Sequence, residues 1–297
     1  MSCRSNESKV KSAFLKDPSD KPLKLDPYWY EGKAEISTYE LSQNRYRDQH
    51  PGEVVLIFVT EDFLTDIQVK NDRYRNKNST NVLKMNKVRR FITGLYDYSI
   101  MTSCFSPIDL DQFPHALKVT CSSQDWCGQS YQQINLTGNK YESKLHSYFE
   151  NEADRNDHAE VVWLEDEMMN RLRMGPERLP VGSFKMIPSA EYLRLRHKPF
   201  SPVKSTASLE AYSGSEFEGE NLMAYSIEIQ SDQRKLSIVY EDAKPYKVMG
   251  WTDQYPSSFD GKLRTTIARK KGEEYLPYWQ QNGKDQSEQR KDLNLMF

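Results

Sequence analysis

Glu53-Val54-Val55-Leu56-Ile57-Phe58-Val59-Thr60 is the most apolar stretch of the chain, and its reading decides the fold. The run is short, rich in β-branched side chains and free of helical spacing. It predicts a strand, and because its apolar residues do not alternate, a strand buried on both faces. Working outward, further strand signals fall at 33–41, 80–85, 90–105, 116–122, 130–136 and 143–149, with turns marked by Pro107, Pro114, Gly128 and Thr137-Gly138-Asn139. Later segments at 183–187, 191–196, 222–229, 235–240, 246–251 and 263–270 continue the pattern. Strands joined by short polar turns read as an antiparallel meander, and nothing alternates strand with helix as a parallel α/β chain would. The hairpins that contain 37–62 and 225–242 echo one another, each closing on Glu-Asp, which suits two β lobes.

One helix interrupts the strands. Asp157-His158-Ala159-Glu160 matches a capping box, Val161, Leu164, Met168 and Leu172 follow at helical spacing, and Gly175-Pro176 supplies a stop. The expected fold is therefore mainly β: an antiparallel meander forming a curved sheet or partly open barrel, with one amphipathic helix near 158–174 covering it. Residues 1–26 read as a flexible polar tether and 27–279 as the β-rich domain, with any division into lobes near 150–180. Residues 280–297 form a polar tail ending in Leu293, Leu295, Met296 and Phe297.

Composition narrows the function. In 297 residues, 41 Lys plus Arg against 43 Asp plus Glu give a net charge of −2 with both signs interleaved, so the concentrated basic field that nucleic acid requires is absent. The longest uninterrupted apolar run, Val54 to Val59, is far short of the roughly 20 residues of a membrane-spanning helix. The five histidines are scattered without His-x-His, His-Glu-x-x-His or Cys-x-x-Cys spacing, so no metal and no cofactor is expected. The acidic run 150–157 lacks the glycine and closing glutamate of a calcium loop. Glycine-rich phosphate cradles and Gly-x-Ser-x-Gly elbows are also missing.

The local cluster that stands out is Gln124-Asp125-Trp126-Cys127-Gly128-Gln129. Cys127 beside a glycine turn is a candidate nucleophile for a cysteine-dependent hydrolase or transferase, with His115 or His146 as its base; packing under a turn is the alternative. Tyr96, Tyr98, Trp126 and Trp251 are candidate ligand-binding residues, since Tyr and Trp join apolar area to a polar tip; they equally suit a β core. Ser2-Cys3 followed by a polar run matches the start of a mature bacterial lipoprotein, which makes Cys3 a candidate lipidation site.

Tyr28 to Ile36, Val55 to Phe63, Gln124 to Gln129 and Ser147 to Glu150 together resemble a family of bacterial envelope lipoproteins of uncharacterised activity. Its members often carry the label septum formation inhibitor Maf. The resemblance runs from about Tyr28 to Trp279 and supports the lipoprotein reading of Cys3. It implies a location at the cell envelope, facing the periplasm or exterior, with membrane contact only through the lipid. The label itself would imply a nucleotide pyrophosphatase. The Ser-x-Arg-Arg and Gly-Ala-Asp-Thr segments of that enzyme are not present, so no Maf catalytic residue is carried over. The expected function is non-enzymatic binding of an apolar ligand or an envelope protein, in a groove partly covered by the helix and above a continuous apolar cavity.

Overall fold

The computed structural model describes residues 25–296. In chain order the strands and helices are β1 (Ala34–Arg45), β2 (Asp48–Leu64), β3 (Val69–Lys70), β4 (Ser79–Thr93), β5 (Tyr96–Pro107), β6 (Lys118–Asp125), β7 (Gly128–Thr137), β8 (Lys140–Ser147), β9 (Arg155–Glu160), β10 (Trp163–Leu164), α1 (Met168–Met174), β11 (Gly182–Ile187), α2 (Ala190–Arg196), β12 (Val203–Ala211), β13 (Leu222–Ile229), β14 (Arg234–Glu241), β15 (Val248–Pro256), β16 (Leu263–Leu276) and α3 (Gln289–Asp292). All 16 strands join one curved sheet that does not close. Its path runs from β10 through β16, crosses to β1, and continues through β2, β4 and onward to β9, with β3 attached to β2 alone. Neighbours pair antiparallel except β10 with β11. The expected meander is present. Its first and last long strands, β1 and β16, lie side by side in mid-sheet.

The sheet's two edges, β9 and β10, are joined only by Val161-Val162. Lys185 on β11 meets Glu160 on β9 at 2.7 Å, so the edges stand close. Charged side chains on β9, among them Arg155, Asp157 and Glu160, discourage pairing with another chain.

Period-two geometry explains the apolar run of β2. Val54, Leu56 and Phe58 point to the concave side and are fully buried. Val55 and Ile57 point outward and are still half-buried, because the C-terminal segment lies over them. The cross-strand rows there are Ile36↔Ile57 and Val55↔Val88.

Two local expectations, one of helix and one of strand, are corrected. Asp157-His158-Ala159-Glu160 caps nothing: it is the body of β9, paired to Ser143, Glu142, Tyr141 and Lys140 of β8. Helix begins only at a 3₁₀ turn, Glu165–Glu167, followed by α1. The carboxylate that reaches back is Glu167, whose Oε1 accepts the Leu164 N–H at 3.1 Å. Residues 191–196, expected as strand, form α2. Ser189 caps it by accepting the Tyr192 N–H at 3.3 Å, and His197 ends it in the left-handed region at φ 51°.

The helix near 158–174 is also not an amphipathic cover. Every residue of α1 is buried, including Asn170, Arg171 and Arg173. Side chains of β1, of β5 and of the neighbouring strands β13 and β14 all converge on the 165–173 segment from separate parts of the sheet. The segment therefore fills the inside of the curve as a plug.

Candidate functional site

The plug is fastened to its wall by charge. Arg173 grips Glu35 of β1 through both terminal guanidinium nitrogens, Nη2 donating to Oε2 at 2.6 Å, while its Cζ lies 4.9 Å from the ring centres of Trp29 and Phe58, which meet each other edge to face. Burial alone would raise the Glu35 carboxyl, but Arg173 outweighs it and holds it at about 2. Tyr28 adds a hydroxyl donor to Oε2 at 2.7 Å. On the opposite wall Arg234 forks onto Glu165 at 2.6 and 2.7 Å and also donates to Asp253. Glu191 of α2 meets Lys87 at 2.5 Å and Arg89 at 2.7 Å. Glu167 takes the His115 ring at 3.2 Å and the Ala116 N–H at 3.1 Å.

Little space remains inside. Cavities between plug and wall measure about 40 Å³ and 20 Å³, on the scale of single waters. The continuous apolar cavity expected beneath the helix is replaced here by packed side chains and ion pairs.

The space a ligand could use lies on the convex face. There the C-terminal segment crosses β16, β1, β2 and β4 and leaves a cleft of about 490 Å³ beneath it, within the roughly 300–1,000 Å³ of small-molecule sites. Its floor carries an apolar row, Leu276, Ile36, Val55, Ile57 and Val88 on four adjacent strands, flanked by the charged side chains of Glu274, Glu53 and Arg90, and is about 14 Å across at the usual strand spacing. Its roof is the strap from Tyr278 to Leu295, which contributes Gln281, Gln286, Gln289 and Leu293. The strap is pinned at its far end. Thr38 donates to the Leu293 carbonyl at 2.7 Å, Asn294 to the Lys271 carbonyl at 3.0 Å, and the Met296 N–H to Glu53 at 2.8 Å. At Gly272 an added Cβ would lie 2.8 Å from Thr38 Oγ1 and 3.0 Å from the Leu293 oxygen, so this close seat requires glycine. A larger and more open depression of about 890 Å³ lies along β11–β14, where Lys185, Lys204, Glu228, Arg234 and Lys235 join Phe184 and Ile229 in a mixed lining.

The binding and nucleophile candidates singled out from sequence fall in two places. Tyr96, Tyr98 and Trp126 gather at one end of the sheet: Tyr46 contacts the hydroxyls of Tyr96 and Tyr98 at 2.5 and 2.6 Å, and Trp126, 68% exposed, donates to Asp97 at 3.0 Å. Tyr98 is buried, stacked on Phe91. Trp251 stands five strands away in the sheet, 2% exposed and tilted against Tyr39. Cys127 is exposed on the β6–β7 turn, where Asp125 accepts the N–H groups of Cys127 and Gly128. His115 gives its Nδ1 to Glu167, and His146 faces Asp154 at 3.4 Å. Cys104, Cys121 and Cys127 are free thiols, and Cys3 lies outside the described residues. Among the described residues no group of three or more His, Cys, Asp or Glu is placed to hold a metal ion, and no helix is long and apolar enough to cross a membrane.

The cleft and the ion-paired plug were not singled out from sequence. The cleft's signals were the non-alternating run in β2 and the apolar residues closing a polar tail. The plug's signal was three consecutive acids, Glu165-Asp166-Glu167, ahead of Arg171 and Arg173. Comparisons with protein-family models, with curated proteins and with solved structures find no match to this chain.

Proposed function

We propose that this chain is a non-enzymatic binding protein of the cell envelope that holds an apolar small molecule in the cleft between its convex sheet face and its C-terminal strap. The observation that carries this reading is the apolar row across four strands, with charged residues at its margins, beneath a pinned polar roof. Val55 and Ile57 are only half-buried beneath the strap, so apolar surface remains there whose burial would be favourable. A ligand with an apolar body covers them. The glutamines of the roof supply donors and acceptors that can orient its polar end.

The test is fluorescence titration with a pyrene-labelled fatty acid. Saturable binding is expected for the native chain. Val55→Trp, which fills the floor, should weaken it at least tenfold, or about 1.4 kcal/mol, without changing circular dichroism or the melting temperature. Absence of saturable binding, or equal binding by the variant, would overturn the reading. The envelope address rests on the resemblance and on Cys3. Mass spectrometry of protein taken from its native membrane fraction should find a diacylglyceryl modification on Cys3, and an unmodified thiol there would remove the anchor.

A further inference from the structure

The chamber of about 40 Å³ between α2, the Glu165–Glu167 turn and the wall encloses more negative than positive groups. Its carboxylates are Glu165, Asp166, Glu191 and Asp253, and its cations are Lys87, Arg89 and Arg234. Arg234 serves Glu165 and Asp253; Lys87 and Arg89 serve Glu191. Asp166 is left with a backbone donor, the Ala190 N–H at 3.0 Å on Oδ2. Lys87 of β4 attracts it, whereas Glu165 and Glu191 repel it. Arg234 of β14, Asp253 of β15 and the Tyr192 and Tyr255 rings complete the enclosure, and the Cys104 and Cys121 thiols of β5 and β6 lie within its electrostatic reach. A fourth buried carboxylate against three cations is costly as an anion and cheap as a neutral acid.

We propose that Asp166 carries a proton in the folded chain at mildly acidic pH and that this proton latches the plug, the 165–174 segment and the α2 helix that packs on it, inside the sheet. Loss of the proton leaves a buried negative charge without a cation of its own and loosens the plug. Burial pushes the Asp166 carboxyl up to about 7 against the pull of Lys87 and the Ala190 amide. Its ordinary value is 3.8, so between about pH 4 and 7 the folded chain holds a proton that the unfolded chain has lost. The latch is at full strength below that window, weakens as pH rises through it, and levels off above it.

Two thiols sit behind the plug and report its opening. Asn170 of α1 donates to the Cys104 carbonyl at 3.3 Å, and Cys121 lines a cavity with Ala190 and Leu193 of α2. Burial raises both thiols, Cys121 to about 12, which keeps them unreactive while the plug is seated. The experiment is N-ethylmaleimide labelling from pH 5 to 8, read by peptide mass spectrometry, with exposed Cys127 as the internal reference. In the native chain the labelling of Cys104 and Cys121 relative to Cys127 should rise about tenfold per pH unit up to pH 7 and then flatten. In Asp166→Asn the ratio should stay low and constant. A rise of the same steepness in Asp166→Asn, or flattening by Asp253→Asn instead, would overturn the proposal. Should Asp166→Asn fail to fold, the carboxyl-carbon NMR titration of the native chain decides: Asp166 ionised at pH 5 overturns the latch, and a midpoint near neutrality supports it.

Discussion

Arg173→Ala is expected to lower folding stability by about 3–5 kcal/mol, the usual cost of stranding one member of a buried ion pair. The guanidinium is buried against the Trp29 and Phe58 rings, and it is the cation that grips the fully buried Glu35 carboxylate. Removing it leaves an anion in the core with only hydroxyl donors, Tyr28 at 2.7 Å among them. Urea denaturation followed by circular dichroism measures the loss as a lower midpoint at unchanged slope. Arg173→Lys should recover part of the loss, because an ammonium keeps the charge but not the fork or the stacking plane. Joint replacement of Arg173 and Glu35 by Met and Leu should be far milder than the sum of the single losses, since no charge is then left unpaired. The pair also sets an acid limit. Glu35 is held at about 2 against an ordinary 4.5, so its contribution is complete above about pH 4.5 and lost as pH falls toward 2. A loss below about 1 kcal/mol in Arg173→Ala would show that the plug does not depend on this clamp.

Trp251→Ala is expected to cost a similar amount, about 3–5 kcal/mol, by the transfer and cavity terms of a large core truncation. Its ring is among the largest fully enclosed side chains and rests on Tyr39, whose hydroxyl donates to the Val248 carbonyl at 2.8 Å. Trp126→Ala offers the contrast. That ring is mostly in water and should change stability by about 0.5 kcal/mol or less. Paired denaturation curves separate the two tryptophans, and near-equal effects would contradict the burial described here.

The sheet was legible because strand formation leaves local marks. The branched run at 53–60, the partial alternation at 33–41 and the turn at Thr137-Gly138-Asn139 all reappear where strands and hairpins are found. The helices were legible only in part. At 157–160 a correct capping pattern was overridden by a neighbouring strand, β8, whose backbone offered more hydrogen bonds than a cap could. At 191–196 Tyr192, Leu193 and Leu195 imitated a strand, whereas the decisive residues were Ser189 before them and His197 after. The plug was hidden for a different reason. Arg173 and Arg234 look like solvent-facing residues until carboxylates from far along the chain reach them: Arg173 and Glu35 are 138 positions apart, and Arg234 and Glu165 are 69 apart. The cleft required knowing that the tail folds back across the outer face of β2. Its floor was visible as a run, but its roof was not.

The pairing of β1 with β16 sets the order in which a growing chain can complete itself. On the ribosome, β1 and β2 can form a hairpin early, but the flank of β1 that faces β16 waits for some 230 further residues. At about 5–20 residues per second this interval is roughly 10–50 s. For that time an extended strand with unsatisfied amides is open to other nascent chains. The strand that shields it, β16, is translated only at the end of that interval.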